Sequence, residues 1–328
     1  MSDLTALVDE LFERPAEEGV TLALLIQQGG NVVAERYGVQ PENIFQPAIE
    51  ITSESTLTSW SMAKSITHAA VGILVGDGLL DVDAPAPIAE WAGTPKEAIT
   101  TLELLEMRSG LRFVEDYVDD QVSHCIEMLY GESGPSHAAY AAALPLDHEP
   151  GTHYSYSSGT TNIVARILGD VVNGGPGGEP GERQAATELF LHQRLFEPVG
   201  MTSAIPKFDA AGDFVGSSYV FATARDFAKF GELYRNDGVT ANGEQLLPAG
   251  WVDHARRPVS HDDENGCDYG RHWWMWPQIP GSLACHGHEG QYIVVAPDRE
   301  LVVVHLGKTA ASAAPQLRAR LRNMIDHF

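Results

Sequence analysis

The strand patterns of this chain lie at its two ends, with a helical stretch between them. A hairpin is predicted over residues 20–37, where "VTLALLIQQ" and "NVVAERY" flank a Gly-Gly turn. The last third contains "YGRHWWMWPQ", "SLACHGHEGQYIVVAP" and "ELVVVHLGK", which are rich in β-branched and aromatic residues and predict three successive strands. We therefore expect an α+β fold, in which both chain ends build one antiparallel sheet flanked by helices.

The middle of the chain predicts an inserted, mostly helical subdomain. Helices are expected at "TTLELLEMRSG", "SHAAYAAAL" and "TTNIVARILGDVV", and a Gly/Pro-rich surface loop at residues 173–182. We expect a sheet domain from residues 1–60 and 200–328, a helical subdomain from residues 61–199, and an active site in the cleft between them.

Charge and cysteine content indicate which partners the protein is expected to bind and where it is expected to be located. The formal net charge of -24 argues against nucleic acid and anionic membrane surfaces, which bind clustered Lys and Arg. No uncharged apolar run approaches the roughly 18 residues that span a bilayer, and the acidic first residues lack a signal-peptide pattern. The scattered Cys125, Cys267 and Cys285 fit free thiols in a reducing compartment. The expected location is the cytoplasm.

Ser61 and Lys64, in "LTSWSMAKSITHAAVGIL", form the first candidate site. They are three residues apart, so they share a face of the predicted helix. A serine hydroxyl needs a base to act as a nucleophile. A lysine that is desolvated near the positive end of a helix dipole has its ammonium form disfavoured and can accept a proton. A lone Ser-x-x-Lys motif is weak evidence, but the absence of a Gly-x-Ser-x-Gly elbow argues against an α/β-hydrolase.

Two further segments strengthen this hypothesis. In "EPGTHYSYSSGTTNIVARIL", Tyr156 lies at the junction of an extended run and a helix, where it could face a cleft as a second base. In "CHGHEGQYIVVAP", a strand is predicted to open with His288, Glu289 and Gly290, and the bare backbone of Gly290 would let a substrate lie close against it.

The boxes "SMAK", "YSS" and "HEG", in this order, resemble the three-box pattern of the serine β-lactamase and penicillin-binding-protein superfamily. The segments "GLLDVDAPA", "LLEMRSGL" and "TARDFAKFGELYRNDG" extend the resemblance over residues 56–307. The chain is most similar to the class C β-lactamase-related hydrolases, in the branch of esterases and aminohexanoate-oligomer hydrolases. The resemblance implies a β-lactamase/transpeptidase-like fold.

The resemblance also implies roles for individual residues. Ser61 would be the acylated nucleophile, and Lys64 and Tyr156 would activate it and pass the proton to the leaving group. The oxyanion hole would consist of the backbone N–H groups of Ser61 and Gln291. The residues that it places around the substrate are Tyr117, Ser158, His288, Glu289 and Gly290, with Tyr117 at the position of a loop tyrosine that assists amide cleavage. No cofactor is implied.

Two departures from the family pattern bear on the substrate. β-Lactamases generally carry Tyr-x-Asn and Lys-Thr-Gly, whereas this chain has Tyr156-Ser157-Ser158 and His288-Glu289-Gly290. The missing lysine removes a positive charge that would face a β-lactam carboxylate, and Glu289 adds a negative one. We therefore expect a small neutral ester as substrate, then an amide, D-amino-acid peptide or aminohexanoate oligomer, and a β-lactam last.

Two other interpretations remain open. Cys285-His286-Gly287-His288 has a His-x-His spacing, but it lacks the accompanying Asp-His, and the chain has no His-Glu-x-x-His, so no metal is expected. The second alternative is a penicillin-recognition fold that has lost catalysis and serves as a binding module. The presence of Ser61, Lys64 and Tyr156 together favours the enzyme.

Overall fold

A computed structural model of the chain describes residues 3–116 and 122–328. Tyr117 lies outside the described residues. The helices are α1 Leu4–Phe12, α2 Ala63–Gly76, α3 Thr101–Leu105, α4 His124–Tyr130, α5 His137–Ala143, α6 Ser158–Val172, α7 Pro180–Leu191, α8 Glu197–Val199, α9 Ala224–Arg235, α10 Trp251–Ala255 and α11 Ala314–Ile325. The strands are β1 Val20–Gln28, β2 Asn31–Tyr37, β3 Val39–Gln40, β4 Ile49–Glu50, β5 Leu57–Thr58, β6 Ile205–Pro206, β7 Val220–Ala222, β8 Ser260–Asp262, β9 Cys267–Tyr269, β10 Trp274–Met275, β11 Leu283–Gly287, β12 Gln291–Ala296 and β13 Leu301–Lys308.

The two ends of the chain meet in one antiparallel sheet. Within the described residues it has eight strands in the order β2-β1-β13-β12-β11-β10-β9-β8. The predicted N-terminal hairpin is present, and β1 pairs with β13, so that Leu25 lies opposite Val304. Helices α2 to α8 come from the stretch between the two sheet-forming parts of the chain. This arrangement confirms the expected α+β fold.

Side-chain alternation along the strands gives the sheet two apolar faces. Leu24 of β1 belongs to a core that includes Leu11 of α1 and Leu321 of α11. Its neighbour Leu25 points the other way, into a larger core that includes Ile66 of α2. Helix α2 is buried almost throughout, because it lies inside this second core. The start of α2 is where the site residues gather.

The segment "SLACHGHEGQYIVVAP" forms two strands rather than the one predicted. Strand β11 ends at Gly287, His288–Gly290 form a turn, and β12 begins at Gln291. Glu289 and Gly290 have φ angles of 60° and 80°, which reverse the chain and make a hairpin. The "HEG" box therefore lies in a turn and does not open a strand.

Candidate functional site

Ser61 and Lys64 lie side by side at the start of α2. Ser61 belongs to the turn Trp60–Met62 that leads into the helix and is half-buried, whereas Lys64 is only 1% exposed. The Lys64 Nζ atom lies 3.0 Å from the Ser61 Oγ atom. Trp60, just before Ser61, has a φ of 44°, a left-handed conformation that is uncommon for a bulky residue and occurs more often at functional sites.

Two further oxygen atoms surround the Lys64 amine. Its Nζ atom lies 2.9 Å from the Ser158 Oγ atom and 3.1 Å from the Ser217 carbonyl oxygen, in the loop before β7. Burial lowers the pKa of Lys64, and the nearby Glu115 and Cys125 partly oppose that shift. Burial therefore makes the uncharged amine, the form that can accept a proton, easier to reach than it is for a lysine in water.

Tyr156 completes the group around Ser61. Its ring lies 4.8 Å from the Lys64 Nζ atom and packs against the rings of Tyr269 and Trp274. Burial, and then the charge of Glu115, raises the pKa of Tyr156, while a hydrogen bond with Ser61 partly lowers it. Tyr156 therefore stays a neutral phenol, able to donate a proton. The structure thus brings Ser61, Lys64, Tyr156 and Ser158 together.

Glu115 lies behind Ser158 and was not identified from the sequence. Its Oε1 atom accepts a hydrogen bond from the Ser158 hydroxyl at 2.6 Å, and its Oε2 atom accepts one from the Ser158 backbone N–H at 2.7 Å. Glu115 lies two residues before Tyr117, in a segment that already carried the family resemblance. An acidic residue beside a candidate active-site tyrosine is the signal that could have found it.

The turn His288–Gly290 contains the glycine that was expected to lie close to the substrate. A Cβ atom added at Gly290 would lie 2.7 Å from a Leu317 methyl group and 3.1 Å from Thr309, so protein already fills the open face of this glycine. The space on the Cβ side of Gly290 is therefore taken by Leu317 and Thr309, and a substrate contact with the backbone of this residue stays a prediction. The glycine serves the positive φ of the turn and the packing of α11.

Gly287, at the end of β11, approaches the nucleophile instead. A Cβ atom there would lie 2.4 Å from the Ser59 carbonyl oxygen, so only glycine allows β11 to come this close to the turn that carries Ser61. Gln291 is the partner of Gly287 across β11 and β12, and its side chain bonds the His288 and Gly307 carbonyl oxygens. The close backbone contact thus lies before the "HEG" box.

The charge of Glu289 is balanced by a neighbour. Its carboxylate lies 3.4 Å from the Lys308 Nζ atom, so the extra negative charge expected beside the substrate is paired.

Aromatic rings flank the nucleophile's turn. The Trp60 ring centroid lies 5.6 Å from that of His288 and 5.7 Å from that of Tyr219. The Tyr219 hydroxyl in turn lies 2.6 Å from that of Tyr130. These rings form an aromatic group around Trp60, the residue that precedes the nucleophile.

A family model described as Beta-lactamase matches residues 6–324. This chain belongs to the beta-lactamase family. The match confirms the family resemblance drawn from the three boxes, and it makes the chain a member of a family of serine hydrolases.

Individual relatives agree with this assignment. The 6-aminohexanoate-dimer hydrolase of Paenarthrobacter ureafaciens is 26% identical over 325 residues, which cover 92% of this chain and 77% of the relative. An octameric penicillin-binding protein homologue from Pyrococcus abyssi superposes with a TM-score of 0.71 at 19% identity, covering 98% of this chain and 77% of that one. A family VIII carboxylesterase superposes with a TM-score of 0.69 at 15% identity, covering 96% of this chain and 98% of that one. These two structures confirm the β-lactamase-like fold class.

Cys285 and His286, in the segment with the His-x-His spacing, pack against neighbouring residues in this member of the beta-lactamase family. Cys285 is buried, which raises the pKa of its thiol, and the His286 Nε2 atom accepts a hydrogen bond from the Trp276 Nε1 atom at 2.8 Å. Among residues 3–116 and 122–328, no group of three His, Cys, Asp or Glu side chains is arranged to hold a metal ion. Over the same residues, no helix combines the length and apolar character needed to cross a bilayer.

Proposed function

We propose that the protein hydrolyses a small neutral ester through an acyl-enzyme at Ser61. The observation that carries this proposal is the buried Lys64 amine, 3.0 Å from the Ser61 Oγ atom. Among the described residues, no carboxylate forms a salt bridge with Lys64, whose hydrogen-bond partners are hydroxyl and carbonyl oxygens. A lysine held this way is suited to general-base catalysis.

The proposed steps move two protons. The Lys64 amine accepts the Ser61 hydroxyl proton as the Oγ atom attacks the substrate carbonyl carbon. The neutral Tyr156 phenol then gives its proton to the leaving group, and the Lys64 ammonium returns a proton to Tyr156. A water molecule hydrolyses the ester bond to Ser61 by the same route in reverse, which restores the free enzyme.

The oxyanion needs two backbone donors in this proposal. The Ser61 N–H is one, at the N-terminal end of a helix where N–H groups have no helical partner. For the other we favour the backbone of Gly287 and His288, because Gly287 touches the Ser59 carbonyl beside the nucleophile. Gln291, expected from the resemblance, lies across the hairpin in β12. Loss of one such donor typically costs about 100-fold or more in rate.

The ranking of substrates rests on the surroundings of Ser61. The rings of Trp60, Tyr219 and His288 suit an uncharged acyl group, which supports a neutral ester. The second candidate is an amide of the aminohexanoate type, supported by the similarity to the 6-aminohexanoate-dimer hydrolase. A β-lactam comes last, because His288 stands where the resemblance expects the lysine that would face its carboxylate.

Active-site labelling tests the mechanism. A fluorophosphonate probe should label the protein at Ser61, and Ser61→Ala should abolish labelling. Ser65→Ala is the matched control, because Ser65 lies four residues further on and uses its hydroxyl to bond the His272 carbonyl oxygen at 2.7 Å. An unlabelled but folded wild-type protein would favour the binding module.

A substrate panel tests the proposed specificity. The panel contains nitrophenyl acetate and butyrate, a D-alanyl nitroanilide, the aminohexanoate dimer and nitrocefin. We expect the highest kcat/KM on a nitrophenyl ester. Turnover of nitrocefin alone would refute the substrate ranking and leave the acyl-enzyme at Ser61 intact.

A further inference from the structure

The three partners of the Lys64 Nζ atom constrain where its lone pair points. They are the Ser61 Oγ, Ser158 Oγ and Ser217 carbonyl oxygen atoms, at 3.0, 2.9 and 3.1 Å. A neutral amine has two hydrogens and one lone pair, so it can donate to two of these atoms and must accept from the third. The Ser217 carbonyl oxygen can only accept, and it takes one hydrogen.

The Ser158 hydroxyl takes the other hydrogen, because its own proton is already committed. A hydroxyl has a single hydrogen. Ser158 donates it to the Glu115 Oε1 atom at 2.6 Å, while the Glu115 Oε2 atom accepts from the Ser158 backbone N–H. Ser158 can therefore only accept from Lys64. Ser61 is the one neighbour left that can donate to the lone pair.

We propose that Glu115 is a positioning residue, which orients the Ser158 hydroxyl and thereby directs the Lys64 lone pair at the Ser61 proton. This inference rests on the proposed role of Lys64 as general base. Without an acceptor at Glu115, the Ser158 hydroxyl could turn and donate to Lys64, in competition with Ser61. Glu115 acts through Ser158 and does not touch the reacting atoms.

The charge of Glu115 has a second effect, on the pH dependence of acylation. The titratable groups that face Lys64 are Glu115, Cys125, Tyr156 and His272. A general base works above its pKa, so acylation rises as pH passes the pKa of Lys64. Glu115 raises that pKa, so removing its charge should move the acid limb of the acylation profile to lower pH.

Glu115→Gln and Glu115→Asp separate these effects from a structural role. Glutamine keeps the size but replaces one acceptor oxygen by an amide donor, which must face either the Ser158 N–H or its Oγ atom. Aspartate keeps both acceptors and the charge. General-base catalysis contributes about 100-fold or more to a rate. We therefore expect Glu115→Gln to slow acylation about 30-fold. It should also move the acid limb of the acylation profile to lower pH. Glu115→Asp should keep the limb in place and recover most of the rate.

The measurement is the rate of fluorophosphonate labelling or of the nitrophenol burst across pH, on variants whose thermal unfolding shows that they are folded. Asp116→Asn, a change of the exposed neighbouring carboxylate, is the control and should behave as wild type. In a Ser158→Ala background, Glu115→Gln should lower the plateau rate of acylation at high pH little further, because the hydrogen-bond route to Lys64 is gone, while the shift of the acid limb should persist.

Three results would overturn the inference: a wild-type rate and profile in Glu115→Gln, an unmoved acid limb with equal losses in both Glu115 variants, or fully additive losses with Ser158→Ala. Failure of the proposed function is a separate result, since it would appear as wild-type labelling in Ser61→Ala.

Discussion

Helix α6 meets a buried basic side chain at each of its ends. At its first residue, Ser158 contacts Lys64, whose partners are hydroxyl and carbonyl oxygens. In its last turn, Asp170 pairs with Arg183 of α7, which also pairs with Asp213; the nitrogen–oxygen distances are 2.8 and 2.5 Å. Both cationic side chains are largely buried. They differ in whether a carboxylate pairs with them directly.

This difference determines what each cation can do. Burial works against the charge of Arg183, but Asp213 and Asp170 outweigh it and raise the pKa of the guanidinium, which stays charged and holds three chain segments together. Burial lowers the pKa of Lys64; the charge of Glu115 opposes that shift in part, but its carboxylate hydrogen-bonds Ser158 and does not pair with the amine. A buried cation with full compensation is structural, whereas one without it can change protonation state.

The largest expected effect is a loss of activity at Lys64, the buried basic side chain with which no carboxylate of the described residues pairs directly. Lys64→Met removes the proton acceptor and keeps the side-chain volume. We expect acylation of Ser61 to fall about 1,000-fold, with a change in the free energy of unfolding below about 2 kcal/mol, because an uncharged residue of similar size replaces a desolvated amine. Burst kinetics and urea unfolding measure the two quantities. A variant that keeps a tenth of the wild-type rate would assign the base elsewhere.

The next largest expected effect is a loss of stability at Arg183, the buried cation with which Asp170 and Asp213 pair. Arg183→Met leaves the buried Asp213 without its cation and leaves Asp170 with only the more distant Arg166, at 3.8 Å; breaking a buried pair in this way typically costs about 3–5 kcal/mol. The protein that remains folded should label at Ser61 at the wild-type rate. Arg194→Met is the control, because Arg194 forms an exposed pair with Asp77, and such pairs contribute at most about 1 kcal/mol. Equal losses in the two variants would mean that the buried pairs of Arg183 contribute no more to stability than an exposed pair does.

The sequence was sufficient for the features that depend on local spacing. The hairpin around Gly29-Gly30 follows from strand and turn patterns, and the three-residue spacing of Ser61 and Lys64 puts them on one side of a helical turn. The α+β order follows from strands at both chain ends. Tyr156 is a candidate from its place between an extended run and a helix, and the family resemblance links it to Ser61, because no spacing rule does.

The sequence was insufficient where contacts depend on tertiary structure. The Ser217 partner of Lys64 is a backbone carbonyl, which has no side-chain signature in the sequence. Glu115 acts across 43 positions of sequence separation, on a hydroxyl whose direction depends on both partners. The hairpin at Gly287 and Gly290 was missed because both strands are apolar and the turn between them has only three residues.

The smallest expected effect is on the pH dependence of the free energy of unfolding, to which two buried histidines, His272 and His305, contribute. Burial, and then the charge of Lys64, lowers the pKa of His272 to about 3; burial, and then Arg14, lowers that of His305 to about 3. A histidine pKa lowered by folding favours the neutral native form, so this stability is full above about pH 6.5 and is lost as pH falls toward 3. At pH 5 each histidine should reduce the free energy of unfolding by about 2 kcal/mol at most.

Lys64→Met should distinguish the two sites, because it removes the cation that opposes charging of His272 and leaves His305 unchanged. His305 is held between the Gly290 carbonyl and the Thr21 hydroxyl, at 2.7 and 3.0 Å, far along the sheet. Urea unfolding at pH 7.5 and pH 5 measures this difference. Between these pH values the free energy of unfolding should fall less in Lys64→Met than in wild type, and the difference should be smaller than the full contribution of one histidine. In a His305→Gln background the same reduction should persist, since the two histidines face different cations. If the free energy of unfolding falls equally in wild type and in Lys64→Met as the pH is lowered, the amine carries no charge near His272 even at pH 5.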